Sequence, residues 1–127
     1  VSMLQAVYDR SKKDNMTLDQ AKETGADLLR SLRYGDDGKG YFWADTAAGV
    51  NVVLYGDKKV EGKNRLDANI NGIYYIREII THGKQAGGGY TDYWFPKQGS
   101  TEPLKKRGYS LLFRPFGWVV GTGYYPD

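Results

Sequence analysis

The sequence predicts an α+β domain: a helical N-terminal third, then an antiparallel five-stranded sheet with one helix inserted between its second and third strands. Three observations predict it. Apolar residues recur at helical spacing through about the first thirty positions. From residue 40 onward, short aromatic and β-branched runs of alternating character are separated by turn residues. Between the second and third of those runs, Ile73, Ile76, Ile79 and Ile80 return to one helical face.

The elements follow in order. Leu4, Val7 and Tyr8 keep helical spacing until the pattern pauses at Asp14-Asn15-Met16. Thr17 to Gln20 then reads as a capping box, in which the Thr hydroxyl takes an orphan N–H and the Gln side chain reaches back. Leu18, Ala21, Gly25, Leu28, Leu29 and Leu32 continue on one face, and "RYGDDGKG" ends the helix. Residues 40–45 and 50–55 read as a hairpin joined by "TAAG", and the polar stretch after it as a long loop. Asn71 is expected to cap the inserted helix and Gly87-Gly88-Gly89 to stop it. Residues 90–95, 109–113 and 118–125 close the sheet, with "PKQGSTEPLKKRG" as a long hairpin loop. One domain, 1–127, is expected, with 1–33 helical and 40–127 forming the sheet and its inserted helix. This order resembles that of PAS-like folds with a long N-terminal helix.

Alternation divides the first strand. Tyr41 and Trp43 share one face, Phe42 and Ala44 the other, so the sheet has two apolar faces. One packs on the N-terminal helices. The other needs cover from the inserted helix, the long loop or a ligand.

Composition narrows the chemistry. Hydrophobic residues make up 40% of the 127 residues and aromatics 14%, enough for a packed core. Eleven Tyr against four Phe suit a half-polar interior, although Tyr is also simply a strand former. No cysteine is present, which excludes disulfides, thiol nucleophiles and Cys-based zinc sites. His82 is the only histidine, so a multi-His metal site is excluded. It falls late in a helical pattern with no nucleophile motif to serve, and no enzyme is expected. Eighteen basic and fifteen acidic residues give a net charge of +3, scattered rather than focused into a nucleic-acid stripe. Gly121-Thr122-Gly123 lies in a strand pattern with no following lysine, so it is no phosphate loop. Its glycines are better read as permitting close approach. Asp36-Asp37-Gly38 lacks the spaced ligands of a calcium loop and reads as a turn. No cofactor and no metal are expected.

The stretches "GYFWADTAAGVNVVLY", "EGKNRLDANINGIYYIREI", "GGYTDYWFPKQGSTEPLKKRGYSLLF" and "FGWVVGTGYYPD" together resemble the single Cache domain. The ordered series runs from about Leu18 to Asp127. It departs from the family pattern in two places: Tyr55-Gly56 replaces a His-Pro, and Asn69 replaces an acidic residue before the inserted helix. The resemblance implies an extracytoplasmic sensor domain of a bacterial chemoreceptor or sensor kinase. It also implies flanking transmembrane helices and a small ligand, a short carboxylate of the acetate, propionate, pyruvate or lactate class. Signalling in chemotaxis or two-component systems would follow.

The resemblance places Lys106 in the pocket as the carboxylate's partner, whereas the run Lys105-Lys106-Arg107 by itself reads as a solvated hairpin. Tyr41, Trp43 and Tyr55 are expected as walls. Tyr93 and Trp94 point oppositely, so Tyr93 is favoured as a hydroxyl donor with Trp94 as an alternative wall. Tyr109 is expected to complete the donor set. A homodimer through the N-terminal helix is expected from Leu4 and Val7, read as exposed. The alternative function is a cytoplasmic PAS-like or nucleic-acid-binding module stacking bases on open sheet aromatics.

Overall fold

The helical third is broken where the polar Asp14-Asn15-Met16 interrupts it: in the computed structural model, which describes residues 2–35 and 38–126, Asn15 takes a positive φ of 54°. The break separates α1 (Ser2–Lys13) from α2 (Leu18–Ser31). The capping box forms as expected. Thr17 Oγ1 accepts from Gln20 N at 3.1 Å, and the Gln20 side chain accepts from Thr17 N at 2.9 Å. Ala21, Gly25 and Leu29 are buried as the spacing predicts, but Leu18, in the first turn, is 48% exposed.

The hairpin β1 (Phe42–Thr46) and β2 (Asn51–Leu54) follows. The inserted helix α3 (Tyr75–Gly83) starts later than expected. Asn71 does not cap it: Asn71 and Gly72 both have positive φ and make a two-residue turn. Ile70 and Ile73 close that turn with reciprocal backbone hydrogen bonds. Ile73 therefore belongs to the covering loop. The helix also ends earlier, at Gly83, rather than at the glycine triplet.

The strands β3 (Gly89–Pro96), β4 (Pro103–Phe113) and β5 (Trp118–Tyr124) complete a five-stranded sheet, wholly antiparallel, in the order β2-β1-β5-β4-β3. β4 is the largest departure from expectation. Leu104 to Gly108, expected in a loop, is strand paired residue for residue with Thr91 to Phe95.

Two cores lie on the two faces. Leu4, Ala26 and Leu29 from the helices pack with Ala44, Phe113, Phe116 and Trp118. Phe42 joins this side, as alternation predicts. Gly25 allows the close approach, since a Cβ there would lie 3.0 Å from both Leu4 and Phe116. Leu4, 1% exposed, and the half-buried Val7 thus belong to the internal core. They are not the exposed apolar positions on which a helix-mediated dimer was expected. On the opposite face, α3 and the loop from Tyr55 to Ile73 cover Tyr41, Trp43, Tyr93 and Phe95. Ser110 Oγ fastens β4 to α3 by donating to Ile79 O at 3.0 Å. No helix among the described residues is long and apolar enough to cross a membrane.

Candidate ligand-binding site

Strand alternation builds the site. Tyr41, Trp43 and Asp45 lie on the α3 face at β1, and Lys106 on the same face of β4, its neighbours Lys105 and Arg107 pointing to solvent. Tyr93 and Phe95 follow from β3, Asn51 and Leu54 from β2, and Tyr75, Ile76 and Ile79 from α3. Arg65 enters from the covering loop. These side chains leave a small cavity, with about 20 Å³ in which the centre of a water-sized molecule can sit. That is room for a water or two, or for a ligand of a few atoms.

Glycines let the aromatic wall lie against the sheet. A Cβ at Gly121 would come within 2.5 Å of the Trp43 indole, and one at Gly108 within 3.0 Å. The reading of Gly121 as a close-approach glycine is thereby explained.

Lys106 is 2% exposed. Its Nζ donates to the Tyr41 hydroxyl at 2.7 Å and sits 4.3 Å from the centroid of that ring. It also lies 4.7 Å from Trp43 and 5.1 Å from Phe95. Aromatic faces attract a cation through their quadrupoles but do not replace its hydration. No carboxylate among the described residues pairs with it. Burial accordingly pulls its pKa down from 10.5 to about 7. The surrounding tyrosines shift the other way: burial first, and then neighbouring hydroxyls, push Tyr41 and Tyr93 well above the usual phenol range, so both stay neutral donors.

Of the residues expected at the site, Tyr41, Trp43, Tyr93 and Lys106 meet around this cavity. Tyr55, expected as a wall, does not line it but packs against Tyr41, ring edge to face at 5.0 Å. Its φ is +39°, an uncommon conformation for a side-chain-bearing residue. Glu61 holds it there: Oε2 accepts the flanking amides Leu54 N and Gly56 N at 2.8 and 2.7 Å, and Oε1 accepts from Arg30 of α2. Trp94, one residue along from Tyr93, is half-buried on the other face and lines no part of the cavity. Tyr109 is also outside it. It is 36% exposed, donates to Gly87 O, and meets Tyr90 edge to face. The Asp36-Asp37 turn lies outside the described residues, and no metal-binding cluster exists among those described. The aromatics of the α3 face offer no open stacking platform. Tyr41, Trp43 and Tyr93 are each 4–5% exposed beneath α3 and the loop, which removes the basis for the nucleic-acid alternative.

Sequence reasoning missed Asp45, Asn51, Arg65 and Tyr75. Asp45 was findable, because it continues the period-2 series from Tyr41 and Trp43. Arg65 and Tyr75 carry no local signal: they meet only in three dimensions, where Arg65 Nη2 donates to the Tyr75 hydroxyl at 2.5 Å.

Comparison with known proteins is consistent with this geometry. The family profile described as Single Cache domain 2 matches residues 1–127. The chain is 34% identical over its full length to the sensor histidine kinase MctS of Rhizobium johnstonii. It is 29% identical over 114 residues, 88% of the chain, to the methyl-accepting chemotaxis protein McpP of Pseudomonas putida. It spans only 26% and 20% of the length of those two relatives. Among solved structures, a periplasmic sensor domain of a chemotaxis protein superposes with a TM-score of 0.89 at 30% identity, over 99% of this chain and 87% of that one. A Cache chemosensory domain, described for its carboxylic acid recognition, also superposes with a TM-score of 0.89, at 29% identity over 99% and 85% of the two chains.

Proposed function

Since this chain belongs to the single Cache domain family, extracytoplasmic sensor domains of chemoreceptors and kinases that bind ligands rather than catalyse, we propose that it recognises a short carboxylate of the acetate, propionate, pyruvate or lactate class around Lys106. One observation carries this reading: a buried lysine with an aromatic surround, no acid partner among the described residues, and a cavity of only a few atoms beside it. A buried cation without a counter-ion is costly, and a carboxylate entering the cavity supplies one with a charge-assisted hydrogen bond. The Tyr41 hydroxyl, already bonded to Lys106 Nζ, orients the ammonium. The carboxylic acid recognition described for one structural neighbour supports the same class. Tyr55, where the family pattern has histidine, acts on the pocket through its packing against Tyr41. The parent protein then passes occupancy across the membrane, in chemotaxis or two-component signalling.

Calorimetric titration of acetate, propionate, pyruvate and lactate tests this. At least one should bind with Lys106-dependent affinity, and Lys106→Ala should weaken it on the order of 100-fold, as expected when one member of a buried charge pair is removed. Undiminished binding by the variant rejects the assignment.

A further inference from the structure

The cavity has a second polar end that carboxylate capture by Lys106 leaves unused. Asp45 follows Tyr41 and Trp43 on the same face of the first strand and is fully buried, at 0% exposure. Its Oδ1 accepts from Asn51 Nδ2 at 3.0 Å. That same nitrogen lies 3.4 Å from Ala44 O and 3.3 Å from Val53 O. Three acceptors around one end of the amide fix its orientation, nitrogen towards them and oxygen away. Asp45 Oδ2 and Asn51 Oδ1 are therefore both buried acceptors without a protein donor. Arg65, whose charge favours the ionised acid, donates instead to the Tyr75 hydroxyl. The cavity thus has a donor at Lys106 on β4, an unpartnered indole N–H at Trp43 on β1, and a pair of acceptors at Asp45 and Asn51.

We propose that this pocket selects acids bearing a hydrogen-bond donor, a hydroxyl or an ammonium, on the carbon chain, with Asp45 Oδ2 and Asn51 Oδ1 holding the donor while Lys106 holds the carboxylate. The proposal rests on the preceding assignment of Lys106 and adds the specificity-determining pair. Its physical basis is the asymmetry of buried polar groups. A plain acid leaves both acceptors unpaired, each at a cost of about 1–3 kcal/mol, whereas a hydroxyl, with its single proton, satisfies one of them and an ammonium can satisfy both. Sites built to hydrogen-bond a ligand group reject the analogue lacking it far more strongly than apolar pockets reject a missing methylene. Burial pushes the Asp45 carboxyl up to about 6, so it remains an acceptor at neutral pH.

The experiment is calorimetry at pH 7.5 with propionate, lactate, 3-hydroxypropionate and alanine, on the wild-type domain and on Asp45→Asn. At least one of the three donor-bearing acids should bind about tenfold or more tightly than propionate, a difference of about 1.4 kcal/mol. Which of them does so separates a hydroxyl from an ammonium. In Asp45→Asn that ratio should fall to about twofold or less. Propionate binding as tightly as all three to the wild type overturns the proposal and leaves the Lys106 assignment standing. A preference for a donor-bearing acid that persists undiminished in folded Asp45→Asn also overturns it. Binding of all four acids that ignores Lys106→Ala overturns the Lys106 assignment instead, and this inference with it. Circular dichroism monitors folding of Asp45→Asn. Asn51→Ala, which deletes one acceptor and should narrow the ratio in the same way, substitutes for it if it unfolds, and the wild-type ratios decide in either case.

Discussion

On the α1–α2 side of the sheet, Phe113, Phe116 and Trp118 meet edge to face at centroid distances of 4.9–5.1 Å and close over Leu4 and Leu29. On the α3 side, Tyr41, Trp43 and Tyr93 are packed as deeply, yet they surround Lys106 and Asp45. The strands are the same, and alternate residues of β1 and β4 serve the two sides. What differs is polar satisfaction. Among the described residues, the one buried polar residue on the helical side, Ser11, donates to Tyr8 O. Among the buried polar residues of the α3 side, Ser110 and Thr91 find partners on α3, whereas Lys106 lacks an acid, and Asp45 Oδ2 and Asn51 Oδ1 lack a donor. A face that is complete without a ligand contributes stability. A face that is incomplete gives up stability for a place where another molecule supplies the missing groups.

The contrast breaks first under truncation. Trp118→Ala should cost about 3–5 kcal/mol in urea denaturation, the usual range for deleting a buried large aromatic. Carboxylate affinity of the remaining folded protein should be unchanged. A parallel loss of affinity would mean the two faces are not separable.

On the other face the sign should reverse. Lys106→Met should abolish carboxylate binding and yet stabilise the unliganded domain by a few kcal/mol at pH 7, at about 1.4 kcal/mol per unit of pKa. Lys106 has a folded pKa of about 7, below its ordinary 10.5. Between those values the unfolded chain holds the extra proton, so wild-type stability should rise with pH from about 7 to about 10.5. The advantage of Lys106→Met is therefore greatest at or below pH 7 and shrinks above it. Denaturation midpoints at pH 7 and pH 9 read this directly, and a less stable Lys106→Met at pH 7 would count against a strained cation.

The smallest effects should come from residues expected at the site but placed outside it. Trp94→Ala and Tyr109→Phe should leave propionate affinity within about twofold, since surface changes away from special features usually shift energies by about 0.5 kcal/mol or less. A tenfold loss from either would extend the site beyond the cavity.

The element order and the two-faced sheet were legible because alternation and helical spacing are local. The aromatic triplet split as expected, Phe42 to one side and Tyr41 with Trp43 to the other. The first half of β4 was not legible. Its Pro, Gly and paired lysines have loop composition, and only pairing with β3 makes them strand. Yet Lys106, Gly108 and Ser110 turn inward while Lys105, Arg107 and Tyr109 turn outward, a period of two hidden by the charges. The start of α3 was misplaced because Asn71 has two uses, as helix cap and as left-handed turn residue, and Gly72 beside it favours the second. Trp94 and Tyr109 lie on the strands that carry Tyr93 and Lys106, but their side chains point away from the cavity.

Gly121 lies directly beneath the Trp43 indole, with less than a methyl group's clearance. The Trp43 wall of the cavity therefore rests on bare backbone. Replacing that hydrogen by any side chain lifts the indole into a void already no larger than the smallest ligands. The size of the cavity is thus set partly at Gly121, a residue outside its lining. A one-carbon change in the sheet would narrow the cavity while every polar group lining it stayed in place.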